Sequence, residues 1–419
     1  MVNSISISRP ATLRGTLASI ALGCVLVPLN STMIAVALPD IMRGFHIAMS
    51  TAGWLVTAYL MTMAILQLIA GKLGDRFGRR KLMLGGLVYF GLASLCAALS
   101  PNFALLLFFR VQQAIAGAMI VINGFALAFQ VAPADQRGSS LGLVNAAVVL
   151  AAAVGPLLGG VLVGLAGWPA IFWINIPLVI AALILGWSSI PGDSPLAVRA
   201  QDSKTSFSFR VLQRRTFAAA NIAIALSNLA LYVTLLAIPI LLSYRVAWSS
   251  LQTGMILAAM SVAMAIFSPL GGRWADRAGR RLPAVTGLAL LTVALMPLAW
   301  WDAEIPVPIL LMSLACAGVG QGLSASALQT SALEAVEAQQ IGVASGIAST
   351  SRYLGSIIGS SLLTGLLDAT RIGDFNTVFL ITVLTAGGAA AVSLAIQSSP
   401  ICAVEPVSSL PELKRREPG

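Results

Sequence analysis

Twelve long apolar runs dominate the sequence of 419 residues. A helix needs about 20 residues to cross the hydrocarbon core of a bilayer, which is roughly 30 Å thick. Only 10% of the residues are charged, whereas soluble domains carry roughly 25%. A backbone in lipid must satisfy its own hydrogen bonds, which a helix does within one segment. We therefore predict an all-α integral membrane protein with twelve transmembrane helices, at residues 17–38, 53–71, 82–99, 104–129, 140–164, 169–190, 216–242, 252–271, 283–301, 306–329, 341–366 and 376–396.

The basic residues lie almost entirely in alternate loops. One side of the predicted membrane holds 20 lysines and arginines, whereas the other holds only Arg43, Arg245 and Arg371. Cytoplasmic loops carry the excess of positive charge, so we predict that both termini are cytoplasmic. Arginine far outnumbers lysine, which is typical of a GC-rich bacterial source, and we expect a multi-pass protein of the bacterial inner (plasma) membrane. The net charge of +10 therefore reflects topology, and we expect no nucleic-acid partner.

The two halves of the chain share a motif, Gly-x-x-x-Asp-Arg-x-Gly-Arg-Arg. It begins at Gly71 and again at Gly272, an offset of 201 residues. Glycines of predicted helices 5 and 11 recur at an offset of 204. We predict two pseudo-symmetric six-helix bundles in parallel orientation. Their bounds are residues 17–190 and 216–396, with a cytoplasmic linker at 191–215 and cytoplasmic tails at 1–16 and 397–419.

Each copy of the motif fits a short gating loop between two spans. Its glycines allow a tight turn, and its aspartate can accept hydrogen bonds from nearby arginines or cap the next helix. Such loops can latch the bundles together in one conformation and release them in another. The alternative is that the arginines only fix topology. The candidate gating residues are Gly71, Asp75, Arg76, Gly78, Arg79, Arg80, Gly272, Asp276, Arg277, Gly279, Arg280 and Arg281.

The repeated motif resembles the signature loop of the major facilitator superfamily, and the resemblance covers residues 17–396. Predicted helix 4 is similar to the family's Arg-x-x-Gln-Gly element, with Ala114 in place of its last glycine. Predicted helix 5 resembles the family's antiporter motif, with Ala151 replacing one glycine, and this implies export. The end of predicted helix 1, at residues 29–39, resembles the multidrug drug:proton antiporter branch, and so do Trp54 and Tyr59 of predicted helix 2. The antiporter-like residues are Gly142, Gly155, Pro156, Gly159 and Gly160.

These glycines and the proline also have a physical role that does not depend on the resemblance. Small residues let helices approach closely in lipid, and Pro156 permits a bend, so this seam can flex and seal a cavity from one side. The alternative is ordinary helix packing.

Two arginines fall inside predicted spans, Arg110 and Arg352. A charge inside the membrane is expensive, and we predict that both are functional. The alternative for Arg110 is that its side chain reaches back to the outer interface. The family resemblance implies a substrate path lined by helices 1, 4, 7 and 10. The substrate or coupling candidates are Asn30, Arg110, Gln113, Asn228, Tyr232, Gln321 and Arg352.

The sequence is compatible with transport with or without proton coupling. The branch resemblance leads us to expect an aspartate in helix 1 where this chain has Asn30, and asparagine does not titrate. All 15 acidic residues fall in loops, in tails or at span edges. Asp40 at the outer end of helix 1 is one substitute, and exchange or equilibration of a solute without protons is the other reading. We interpret His46 as a solvated loop residue.

We predict an alternating-access secondary transporter that exports small drug-like or amphiphilic organic compounds, with protons as an open second partner. The alternative is an uptake permease or a solute exchanger without proton coupling. Against an enzyme stands the lack of an embedded carboxylate, of paired histidines and of a nucleotide-binding loop. We expect no cofactor and no metal, and we expect a monomer in the lipid bilayer.

Overall fold

The computed structural model describes residues 13–133, 136–192, 214–300, 306–336, 341–366 and 372–397. Most of the predicted linker, most of the N-terminal tail, nearly all of the C-terminal tail and Arg371 lie outside these ranges.

Twelve long helices account for almost all of the described residues, and they confirm the predicted spans. Side-chain caps begin two of them: the Asn102 side chain accepts from the amide of Leu105, and Ser249 and Gln252 form a capping box. The helices are α1 Leu13–Phe45, α2 Trp54–Phe77, α3 Arg79–Ala98, α4 Phe103–Val131, α5 Arg137–Ala166, α6 Asn175–Ser189, α7 Arg215–Arg245, α8 Ser250–Ala278, α9 Arg281–Ala299, α10 Val307–Glu334, α11 Ile341–Leu366 and α12 Ile372–Ser393. Short helices at Met49–Ala52 and Ala170–Trp173 precede α2 and α6.

Within the described residues, eleven helical segments are long and apolar enough to cross a membrane. Helix α11 is not among them, although it is 26 residues long. Its lower hydropathy has a clear origin, since it carries Arg352 and a series of serines and threonines.

The helices form two six-helix bundles, α1–α6 and α7–α12, that repeat the same packing. Helix α1 packs on α5 as α7 packs on α11, and α3 packs on α4 as α9 packs on α10. Contacts between the bundles run mainly through α5 with α8, α2 with α11, and α1 with α7. The predicted fold class is therefore confirmed.

The predicted gating loops are shorter than expected, because the helices run through most of the motif. Only Gly78 separates α2 from α3, and its φ of 100° is a conformation that glycine adopts without strain. Gly279, with φ of 82°, follows α8 in the same way. The expectation that Gly71 forms part of a turn was wrong, because it lies inside α2. Asp75 does not cap α3, since the turn residue Gly78 occupies the cap position without a side-chain hydrogen bond.

The two bundles meet at one end of the molecule. We call the end that carries the two motif copies the motif face, and the other end the opposite face. Near the opposite face, an ideal Cβ on Gly160 of α5 would lie 2.9 Å from the Cα of Gly254 in α8. The hydrogen bonds that join the two bundles within the described residues all lie at mid-depth or near the opposite face, for example the one between the hydroxyls of Thr57 and Ser360 at 2.9 Å. A cleft between the bundles therefore opens toward the motif face and is closed at the opposite face.

Candidate functional site

Arg110 is the centre of a buried polar cluster in the first bundle. Its side chain is 0% exposed and donates to the Oδ1 of Asn30 on α1 and, at 3.0 Å, to the Oε1 of Gln113 one turn along α4. The guanidinium lies 4.3 Å from the ring centre of Tyr59 and 6.0 Å from that of Phe172. Amide oxygens and aromatic faces thus replace water around the charge. The alternative in which Arg110 reaches the outer interface was wrong.

The cluster extends from Gln113 to the neighbouring helices. Gln113 donates to the hydroxyl of Ser94 on α3 at 2.7 Å, and Asn175 of α6 donates to the same hydroxyl at 3.2 Å. Several buried polar atoms of the cluster have no hydrogen-bond partner among the described residues: Nδ2 of Asn30, the Tyr59 hydroxyl, Nε and Nη2 of Arg110, and Oδ1 of Asn175. Sequence reasoning missed Ser94 and Asn175, since single polar residues in apolar spans carry no periodic signal.

Two tyrosines of the second bundle make hydrogen bonds across the cleft at mid-depth. The Tyr232 hydroxyl lies 3.4 Å from the hydroxyl of Ser31, and the amide of Gln67 donates to the Tyr353 hydroxyl at 2.9 Å. Of these four residues, only Tyr232 was among the candidates. The structure therefore places Tyr232 at the interface between the bundles.

The remaining amide candidates fall into different environments. Asn228 donates to the carbonyl of Ile224 in its own helix at 2.9 Å. Gln321 is 4% exposed, and its Oε1 has no partner among the described residues. A further amide, Gln329, accepts from Nη2 of the candidate Arg352 at 3.0 Å. No hydrogen bond in the described residues connects these amides to the Arg110 cluster.

Arg352 faces the cleft at the middle of α11. It lies one turn from Ser356 and three turns from Leu363 on the same helix face, and both of these residues are buried. The opposite face of α11 exposes Leu354 and Ile358, as a lipid-facing surface should. Because the Arg352 side chain is exposed on the buried side of the helix, the space it borders is the cleft between the bundles.

The motif residues pair within each bundle. Arg79 binds Asp75 at 2.6 Å, and Arg280 binds Asp276 one turn away. Arg280 also donates to both carboxylate oxygens of Glu334 at the end of α10, at 2.7 and 3.1 Å. Hydrogen bonding to Glu334 is the main reason that the pKa of Arg280 is raised above its ordinary value. Glu334 was missed because it lies outside the motif.

The antiporter-like residues form a seam on two sides of α5. An added Cβ on Gly155 would meet Thr32, and one on Gly159 would meet the backbone of Met33, both in α1. Gly160 faces α8 instead, and the carbonyl of Pro156 lies against Gly254. Close approach of backbones at small residues is the way that helices associate in lipid. Gly142, near the motif face, is one of the antiporter-like residues but is not part of this seam.

Polar contacts also link the bundles near the opposite face. Asp40 accepts from Arg43 at 2.6 Å and from the hydroxyl of Ser250 on α8. Arg43 donates in turn to Ser243 at 2.8 Å. Asp40, considered above as a proton carrier, is thus part of a contact between bundles. His46 is exposed, which agrees with its interpretation as a solvated residue.

Two repeated bundles around a central cleft define a membrane transporter, not an enzyme. The family model for the Major Facilitator Superfamily matches the chain twice, at residues 20–220 and 220–406, and the chain belongs to that superfamily. It is 31% identical to the uncharacterized MFS-type transporter YvkA of Bacillus subtilis (strain 168), over 92% of this chain and 97% of the relative.

Two other similarities concern the branch and the fold. The chain is 28% identical to the multidrug resistance protein Stp of Mycobacterium tuberculosis, over 84% of this chain and 76% of the relative. It thus resembles the multidrug-like branch of the superfamily. Among solved structures, a bacterial homolog of the human lysosomal transporter Spinster, in an inward-facing and unoccupied conformation, aligns with a TM-score of 0.74. That alignment has 17% identity and covers 92% of this chain and 96% of the other.

Proposed function

We propose that the protein is an alternating-access exporter of small drug-like or amphiphilic organic compounds. The asymmetry of the cleft carries this proposal. Packing of Gly160 against Gly254 closes the opposite face, whereas the hydrogen bonds between the bundles in the described residues extend no closer to the motif face than the pair Gln67 and Tyr353. Rocking of the two bundles about a central site would close the motif face and open the opposite face.

The proposed orientation decides which compartment the open cleft faces. We place the motif face in the cytoplasm, because 20 of the 25 basic residues are predicted to lie on that side. The open cleft then loads from the cytoplasm. The antiporter-like seam of α5 and the similarity to a multidrug resistance protein both support export as the outcome.

The seam is suited to repeated opening. Around Gly160 and Gly254 the nearest atoms of α5 and α8 are backbone atoms, including the carbonyls of Pro156 and Ser250, so the helices separate there without repacking large side chains. The polar contacts of Asp40 and Arg43 lie near the helix ends, where water can replace them.

Accumulation assays in a pump-deficient bacterium test the proposal. We expect cells that express the protein to accumulate less of several dyes or antibiotics than cells that express Arg110→Ala at the same membrane level. Equal accumulation of every compound in the panel by the two strains would count against export.

A second candidate is a uniporter or solute exchanger without proton coupling. It is favoured by one observation: Asn30, which cannot titrate, accepts a hydrogen bond from Arg110. Proteoliposomes loaded with a pH-sensitive dye separate the two. Proton movement on substrate addition supports an antiporter, and substrate flux without proton movement supports the second candidate.

A further inference from the structure

We propose that the cleft selects amphiphilic organic anions, and that Arg352 binds their carboxylate group. This inference rests on the proposed transport function and adds the substrate class. Its basis is an unbalanced positive charge at the centre of the molecule, together with hydrogen-bond donors beside it.

The described helices hold two cations and no carboxylate at mid-depth. Arg352 lies near the middle of α11, and Arg110, two turns into α4, donates to Asn30 near the middle of α1. Every acidic residue of these helices is at a position within about two turns of a helix end: Asp40, Asp75, Asp276, Glu334 and Asp374. The centre of the cleft is therefore electropositive in the described part of the chain.

The two arginines differ in their access to a ligand. Arg110 is fully buried under Asn30, Gln113 and the ring of Tyr59. Arg352 is exposed to the cleft, and its hydrogen-bond partner in the described residues is the neutral amide of Gln329. An arginine kept at membrane depth without an anionic partner is costly, and a substrate carboxylate would supply that partner.

A hydrogen-bond donor next to Arg352 also suits a carboxylate ligand. Tyr353 accepts a hydrogen bond from Gln67, which leaves the proton of its own hydroxyl available to an acceptor. A guanidinium binds a carboxylate through two parallel hydrogen bonds, and a phenol can donate a third. A cationic amphiphile would find no carboxylate of the described residues at this depth.

This substrate class also explains how export can proceed with an asparagine at position 30. An anion that leaves a negatively charged interior is driven by the membrane potential, by a concentration ratio of about fiftyfold per 100 mV. No titratable carboxylate in the cleft is required for that driving force.

Three probes with one fluorophore test the inference: 4-(1-pyrenyl)butyrate, its methyl ester, and the corresponding pyrenylbutyl trimethylammonium cation. Binding to the purified full-length protein is measured by fluorescence anisotropy. We expect the wild-type protein to bind the carboxylate at least about tenfold more tightly than the cation, as a charge-assisted contact provides. Arg352→Gln should weaken carboxylate binding by about tenfold and leave ester binding unchanged. Arg352→Lys should retain most of the preference.

Arg14→Gln is the matched control, since Arg14 is an exposed arginine at the start of α1, away from the cleft. It removes the same charge and should keep the wild-type preference. The proposal is overturned if the wild-type protein binds the cation as well as the carboxylate, if it binds no carboxylate, or if Arg352→Gln binds all probes as the wild type does.

The wild-type comparison needs no variant, so it decides the question even if Arg352→Gln fails to fold. Export of neutral dyes by a protein without anion preference would refute this inference and leave the proposed function intact. If no compound of the panel is exported but the protein binds the anion, the proposed export is refuted and the assignment of an anion site stands.

Discussion

A single methyl group at Gly160 should shift the protein away from the conformation described here. An ideal Cβ at this position lies 2.6 Å from the carbonyl oxygen of Ser250 and 2.9 Å from the Cα of Gly254. Both neighbours are backbone atoms of α8, so no side-chain rotation relieves the clash. The helices must move apart by several tenths of an ångström or more.

The cost of this overpacking falls on one conformation. Inserting a methyl group into a tight contact costs about 1–3 kcal/mol, which corresponds to a factor of about 5 to 150 in a conformational equilibrium. A conformation with the opposite face open separates α5 from α8 and avoids the cost. Gly160→Ala should therefore favour closure of the motif face.

Spin labels measure this shift directly. Lys72 and Arg273 are exposed positions in the two motif copies, one on each bundle. With cysteines at these positions in a background without the four native cysteines, double electron–electron resonance should report shorter distances in Gly160→Ala. Gly164→Ala is the control, because its Cβ would lie 3.6 Å from Leu251, an ordinary contact with the same helix. An unchanged distance distribution in Gly160→Ala, at normal folding, would refute the reasoning.

Three further predictions concern the polar residues. Arg110→Ala should abolish transport at normal expression, because the cluster loses its cation; retained efflux would contradict a functional role. Asn30→Asp should make transport more dependent on the proton gradient, and efflux of both forms that is insensitive to an uncoupler would argue that no proton is carried. Glu334→Gln should lower the free energy of unfolding by less than about 1 kcal/mol, since Glu334 is 53% exposed; a larger loss in thermal denaturation would show that its bond to Arg280 is not screened by water.

Glu334 and the motif also show where sequence reasoning reached its limit. The recurrence at an offset of 201 residues identified Arg280 as a motif residue. Its partner Glu334 lies on another helix, 54 positions away. Only the packing of α8, α9 and α10 brings the two side chains together. The helical extent of the motif was equally hidden, because a single glycine with positive φ is enough to separate two helices.

Hydropathy and internal repetition determined the architecture without coordinates. Bilayer thickness fixes the length of an apolar span, and a repeated motif fixes the relation of the two bundles. Both properties are recognised in the sequence without knowledge of which residues touch. Tertiary structure decided the environment of each charge. Arg110 and Arg352 look alike in sequence, yet one is fully buried among amides and aromatic rings and the other is exposed to the cleft. The physical reason is that solvation depends on neighbours contributed by distant helices, and these neighbours meet only when the bundles pack.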